Sequence, residues 1–218
     1  MPVKTQISLY FFILKLFFLG FTSCDTEEAI PHKQDTGDLY FTARINEKPK
    51  HLVTGQNGYR QGVETASDIN HTNPHMSNII FKSYLVQAHS DFHISNHEKA
   101  SLIFDNNRFH IDDYLNSSKT HFEQVFRPGN RIFCDSVQTS SACVEIIWRD
   151  VHGAIWTTRR NQQNNSSFNI KEAYFYPASS SDQILVRGSF SGYLQKSSAH
   201  HTISIKDGAF YLAFKNYK

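Results

Sequence analysis

The clearest pattern along the chain is alternation. Gln183–Leu194 carries Ile184, Val186, Gly188 and Phe190 at every second position with polar residues between, the period of a strand with one buried face. Thr202–Ile205 and Phe210–Phe214 lie on either side of Asp207-Gly208, a dipeptide that predicts a hairpin turn. Upstream, Cys143–Trp148 and Ala154–Thr158 flank Asp150-Val151-His152-Gly153 and predict a second hairpin, with Trp148 and Trp156 opposite each other. Phe168–Tyr176 is a further strand, ended by Pro177 and a serine run.

In the first half, Leu39–Ile45 puts Leu39, Phe41, Ala43 and Ile45 on one face, Asn46–Pro49 is a turn and His51-Leu52-Val53 begins a return strand. Asn78–Val86 is more continuously apolar and predicts a strand covered on both faces. Phe92–Ile94, Ser101–Phe104, Arg108–Ile111 and Ile132–Cys134 are shorter candidates. Two stretches break the rhythm. Gln56–Pro74 is polar and dotted with Gly and Asn, which reads as a surface loop. Asp112–Gly129 holds Tyr114, Leu115, Phe122, Val125 and Phe126 at neither period and is expected to be a helix or an irregular excursion.

No long stripe of period 3.6 occurs, and the chain is rich in Phe, Tyr, Ile and Val. The expected fold is all-β: an antiparallel β-sandwich of about eight to twelve strands formed by residues 39–218, with a lipocalin-like closed barrel as the alternative.

The first residues follow a different rule. Lys4 precedes a run, Ile7–Phe21, that is apolar apart from Ser8, Lys15 and Gly20, and Thr22-Ser23-Cys24 closes it. A charged head, an apolar middle and small residues before a cut make a secretory signal. The competing reading is an uncleaved anchor, which normally needs about 20 apolar residues and here meets Lys15. The segment resembles a bacterial lipoprotein signal, which implies that residues 1–23 are removed and Cys24 is acylated. Phe21 stands where such signals usually carry Leu, as in the looser signals of the Bacteroidetes group. Asp25, Glu27 and Glu28 resemble the acidic signal that sends lipoproteins of that group to the outer surface, against the plain reading of a solvated linker. Residues 24–38 then form a flexible tether with a reach of roughly 20 Å.

The resemblance extends into the domain. Phe41–Pro49 is similar to the opening of uncharacterised Bacteroidetes cell-surface lipoproteins, with Glu47 and Lys50 where Gly and Trp are usual. Val186–Phe190 and Ile203–Phe210 are similar to their ending. It implies a membrane-anchored protein of the outer membrane or cell surface, in a family without an assigned reaction.

The chain has 22 basic and 20 acidic residues. Removing residues 1–23 takes Lys4 and Lys15 and no acid, leaving the two signs equal, so nucleic acid is not an expected partner. Of the three cysteines, lipid would take Cys24, leaving Cys134 and Cys143 as a natural disulfide in an oxidising compartment, or as two buried thiols. His89, His93 and His97 recur every four residues as weak metal candidates; on a strand they stand about 13 Å apart, too far to share one zinc. His200 and His201, adjacent on a strand, would face opposite sides. Gly188-Ser189-Phe190-Ser191-Gly192 lacks a serine at the centre, where a nucleophile elbow needs it. Asp112-Asp113 could serve glycoside hydrolysis only across a cleft. No catalytic residue and no cofactor is assigned. Trp148 and Trp156 are candidate ligand residues if exposed and core if not. The expected role is binding or envelope structure, with an envelope protein or a glycan as partner; a glycan-binding accessory module is the alternative, and a hydrolase ranks below it.

Overall fold

The computed structural model describes residues 38–69, 76–87, 97–110, 119–134, 142–159, 163–176 and 181–217. The leader, Cys24, the linker through Gly37, His89, His93, Asp112-Asp113 and the expected strand at Phe92–Ile94 lie outside them. Eleven strands occur among the described residues: β1 (Tyr40–Ile45), β2 (Lys48–Val53), β3 (Tyr59–Ile69), β4 (Met76–Gln87), β5 (Lys99–His110), β6 (Gly129–Asn130), β7 (Cys143–Arg149), β8 (Ile155–Thr157), β9 (Ser167–Tyr176), β10 (Ser181–Lys196) and β11 (Thr202–Tyr217). They form one sheet in the order β2-β1-β11-β10-β8-β7-β5-β4-β3, curled into a half-barrel, with β9 joining β10 and β6 joining β9. Every ladder between strands is antiparallel.

β10 is the hub, because its two ends have different neighbours. Along one edge it pairs with β11 from Ser181 to Gln195. Along the other, Gln183–Ser191 pairs with β9, and only Gln195 and Lys196 reach β8. Between those partners the edge would be left without hydrogen bonds. Gln163 fills the gap, its amide donating to the carbonyls of Thr158 (2.9 Å) and Tyr193 (2.8 Å) and accepting from the Tyr193 N–H (3.1 Å). A Cβ at Gly192 would stand 2.6 Å from Gln163 Oε1, so this bridge requires glycine at 192.

A second opening, between β9 and β7, is bridged by residues 129–134. Gly129 and Asn130 pair with Ile170 and Asn169, and the Arg131 N–H donates to the Phe168 carbonyl (2.8 Å). Further on, the Cys134 N–H donates to the Val144 carbonyl and the Val144 N–H to that of Ile132, both at 2.9 Å. The Cys134–Cys143 disulfide, expected from the sequence, forms where this segment meets β7.

Inside the curl, nine buried phenylalanines dominate. The helix over 119–125 presses Phe122 and Phe126 against the sheet, with ring centroids 5.0 Å apart for Phe81–Phe122 and 4.7 Å for Phe104–Phe126 and Phe126–Phe214. Phe122 and Val125 stand one helical step apart in this short element, and the partners from β4, β5 and β11 are non-local, which is why the sequence showed no clean period. Arg131 caps the helix end, donating from Nη2 to the carbonyls of Val125 (3.2 Å) and Arg127 (2.7 Å).

Several expectations are corrected. Residues 59–69 form a strand instead of lying within a surface loop. Gln61 and Thr65 point inward there, and both donate to main-chain carbonyls of β11, Gln61 to Ala213 (2.9 Å) and Thr65 to Lys215. Polar residues on the inner face erased the apolar alternation. Asp207-Gly208 is no hairpin turn but a bulge inside one continuous strand: Asp207 has φ 51°, and the register slips against both β1 and β10 there. The positive φ favoured by Asp-Gly serves a bulge as readily as a turn. The I′-type turn falls at Asn46-Glu47, with φ 49° and 64°. Ser101–Phe104 and Arg108–His110 belong to one strand, β5, and Ile111 lies outside the described residues. Ile132–Cys134 contributes only an isolated parallel bridge, Phe133 with Val144. β4 is buried on one face and half-buried on the other.

Since the disulfide pins the segment that bridges β9 to β7, replacing Cys134 and Cys143 together by serine is expected to cost about 2–3 kcal/mol. Urea unfolding of the oxidised protein against the double variant measures it, and an unchanged midpoint would contradict the role given to the segment.

Candidate functional site

Trp148 and Trp156 are in register across the β7–β8 hairpin, as expected. Their shared face points inward. Trp148 is 2% exposed within the core, beneath Lys50, whose Nζ is 5.4 Å from its ring centroid. Trp156 is half-buried against the same core. Its Nε1–H donates to Asp150 Oδ2 (3.1 Å), and His201 lies 5.6 Å from its ring. Both tryptophans therefore anchor the hairpin, and neither presents a free ring face on the outer wall.

His97 precedes β5. Among the described residues, no three of His, Cys, Asp or Glu are placed to hold a metal ion. His200 and His201 sit in the connection between β10 and β11 and diverge, His200 beside Gln195 and His201 against Trp156. Ser189 and Ser191 face outward on β10 while Phe190 between them is buried, and Ser191 Oγ lies 3.0 Å from Ser167 Oγ.

Sequence reasoning missed two buried ionic groups. On the outer side of β5 and β7, Arg159 grips both Asp105 and Glu145, with Nε 3.0 Å from Glu145 Oε2. Thr157 Oγ1–H donates to Glu145 Oε1 (2.6 Å), and Asn78 Nδ2–H to Asp105 Oδ1 (3.2 Å). Burial works against the guanidinium, but the bonds and charges of Asp105 and Glu145 outweigh it and hold the Arg159 pKa above its ordinary range. The signal was present: Glu145 stands in the middle of the apolar run Cys143–Trp148, a place a carboxylate occupies only with a partner.

In the second group, Lys50 Nζ donates to Glu98 Oε1 and Tyr59 Oη to Glu98 Oε2, both at 2.6 Å. Burial, then the bond to Glu98 and its charge, raise the Tyr59 pKa far above the ordinary phenol value. The group ties β2 to the start of β3. In both clusters each carboxylate meets a cation and a further donor, the pairing that lets charge persist away from water.

The outer face of β9, β10, β11 and β1 offers something different. Tyr174 and Tyr176 alternate outward on β9 and are 37% and 43% exposed. Register places Tyr174 beside Leu185 and Tyr176 beside Gln183. One row away, Glu172, Arg187, Tyr211 and Tyr40 are neighbours across four strands. Arg187 Nη1 lies 3.7 Å from Glu172 Oε2, its guanidinium lies 5.2 Å from the Tyr211 ring, and the Tyr40 and Tyr211 rings are 6.2 Å apart. The Tyr174 hydroxyl donates to Glu172 Oε2 (3.0 Å). Exposed Tyr174 and Tyr176 thus stand beside charged and amide groups, with the Tyr211 ring buried beneath them.

Compared with known proteins, the chain matches no family model, no curated protein and no solved structure.

The Asp150 carboxyl sits below its ordinary range. Burial alone would raise its pKa, but the Trp156 N–H and the main-chain N–H groups of Ala154 and His152 outweigh burial. A depressed carboxyl contributes stability above its unfolded pKa and loses it as pH falls. Asp150→Ala is therefore expected to cost about 1 kcal/mol at neutral pH. Melting curves of parent and variant should converge below about pH 4; a gap that persists in acid would contradict the assignment.

Proposed function

We propose that this chain is a lipid-anchored protein of the cell envelope whose domain, residues 39–218, binds a carbohydrate chain rather than carrying out a reaction. The observation that carries the reading is the outward pair Tyr174 and Tyr176, beside Gln183, Arg187 and Glu172, on one sheet face. Tyrosine suits such a surface: its ring supplies a flat apolar area to stack on a sugar, its hydroxyl a polar tip, and its few rotatable bonds make ordering cheap. The amide and charged neighbours are placed to meet sugar hydroxyls. A sheet holds these rings at fixed spacing, so the surface is ordered before a ligand arrives.

The anchor belongs to the same reading and rests on the residues before and at Cys24. Several acyl chains on one cysteine hold a protein durably, where one chain binds only marginally. Among the described residues, no helix is long and apolar enough to cross a membrane. For the architecture, the side-chain bonds from Gln61 and Thr65 on β3 to β11 favour closure of the curled sheet toward a barrel over two separate layers. A phenylalanine-filled interior then leaves the outer face as the surface for recognition. The other reading, an envelope protein without a small ligand, draws on the same exposed tyrosines as a protein contact.

Glycan arrays followed by calorimetry decide between the two. The expected result is binding to a subset of neutral glycans that Tyr174→Ala with Tyr176→Ala weakens by about tenfold or more, since stacking on an aromatic is worth roughly 1 kcal/mol or more per ring. Absence of heat with every glycan would overturn the carbohydrate reading. The anchor is tested separately by intact mass of native protein and by Cys24→Ala, which should lose both the acyl mass and the membrane fraction; a bare thiol with the leader attached would refute it.

A further inference from the structure

The outward side of β3, β4, β5 and β7 carries its charges unevenly. Register sets Arg60 opposite Val86, Val86 opposite Lys99 and Lys99 opposite Arg149, so these side chains leave the sheet on one face in a single row. The facing set one residue along, Leu85, Ala100 and Trp148, is buried in the core, which directs the row outward. With strands about 4.8 Å apart, Lys99 and Arg149 are immediate neighbours and Arg60 stands roughly 10 Å from Lys99.

Glu64, Asp105 and Glu145 stand on this side, and each is committed elsewhere. Glu64 accepts from Lys82 Nζ at 2.8 Å and also from the Tyr84 hydroxyl. Asp105 and Glu145 are held by Arg159, with Asn78 and Thr157 beside them. Among the described residues, no ion pair joins Arg60, Lys99 or Arg149 to a carboxylate. These three cations lie together, whereas Arg44 and Arg187 elsewhere on the domain have acidic partners.

Lys99 is also held in place. The Tyr84 ring lies flat over Gly62, where an added Cβ would come within 2.1 Å of it, and Lys99 Nζ sits 3.6 Å from the centroid of that ring. Aromatic cover of a cross-strand glycine fixes the ring, and the ring face fixes the ammonium. Burial first and then the positive charge of Lys82 lower the Lys99 pKa; Glu64 pulls it back up, and Arg149 adds a smaller push down. An anion laid along the row would relieve this crowding of like charge, supplying the partner that the protein itself does not.

We propose that Arg60, Lys99 and Arg149 form a binding strip for an acidic polysaccharide, a glycan chain bearing sulfate or carboxylate groups. Guanidinium groups match the planar or paired oxygens of such anions with two parallel N–H donors. A straight row crossing four strands suits an extended chain with charges at intervals, whereas a bilayer surface would call for cations spread over an area. The strip lies on different strands from the Tyr174–Tyr176 surface and does not depend on it.

The test uses the full chain in neutral detergent and three immobilised probes: dextran sulfate, polygalacturonate and uncharged dextran. Binding is expected to at least one of the two anionic polymers and not to plain dextran, and to weaken as salt rises. Replacing both arginines (R60Q with R149Q) should weaken it by about tenfold or more, as loss of two charge-assisted contacts implies. A double variant of equal charge change, K48Q with K171Q, should lose far less. Among the described residues neither the Arg60 nor the Arg149 side chain makes an ion pair, so the melting temperature should hold; if the double variant melts early, R60Q and R149Q alone provide the comparison. Equal loss in the two double variants, undiminished binding by R60Q with R149Q, or no binding to either acidic polymer would overturn the proposal. So would tighter binding to single-stranded DNA than to both polysaccharides.

Discussion

A sheet that curls must still satisfy the backbone wherever neighbouring strands part, because a buried N–H or C=O left without a partner costs as much as a lost hydrogen bond or more. The architecture of this domain follows from that requirement. β10 serves two neighbours on one edge, and the space between them is closed by the side-chain amide of Gln163 acting as a piece of strand. The space between β9 and β7 is closed by residues 129–134, held by main-chain bonds at both ends and by the Cys134–Cys143 disulfide. Beyond the end of β1, carbonyls of β11 are met by Gln61 and Thr65 of β3. Three gaps are closed by three devices, and each spends polar groups that a pattern of apolar and polar positions does not anticipate.

Inside the half-barrel the core is aromatic. Phenylalanines from the sheet meet Phe122 and Phe126 of the short helix, mostly at tilted or edge-on angles, the arrangement aromatic rings prefer over face-to-face stacking. The helix is thus both a plug and part of the core, and Arg131, which caps it, belongs to the same segment that bridges β9 to β7. Helix, bridging segment and disulfide form one unit, so a change in any of them is felt by the others.

The ionic groups divide by location. Those out of water, Asp105–Arg159–Glu145 and Lys50–Glu98–Tyr59, are closed sets in which each charge meets its complement. They position strands. Groups on the outer walls are of two other kinds: tyrosines interleaved with polar residues on β9, β10, β11 and β1, and a row of cations on β3, β5 and β7. Under the proposed reading recognition falls to the outside, where a sheet can hold side chains at the regular spacing that a repeating ligand presents.

Period-two alternation is a property of neighbouring residues, and it was legible. Together with the more continuously apolar runs, it gave β1, β4, β7, β9 and β10 nearly to their ends, the antiparallel all-β class, and the pairing of Trp148 with Trp156 across a hairpin. The disulfide was legible for a simpler reason: with Cys24 set aside as the expected acylation site, only Cys134 and Cys143 remained. What tertiary structure alone decided is whatever depends on a partner distant in sequence. β3 is a strand because its polar inner residues find carbonyls on β11, more than 140 positions away. Asp207-Gly208 bends a strand and does not end it because β1 and β10 hold both sides of the bulge. Glu145 survives inside an apolar strand because Arg159 reaches it. A local pattern states what a segment can become; the energy that selects among those outcomes lies in contacts the pattern does not contain.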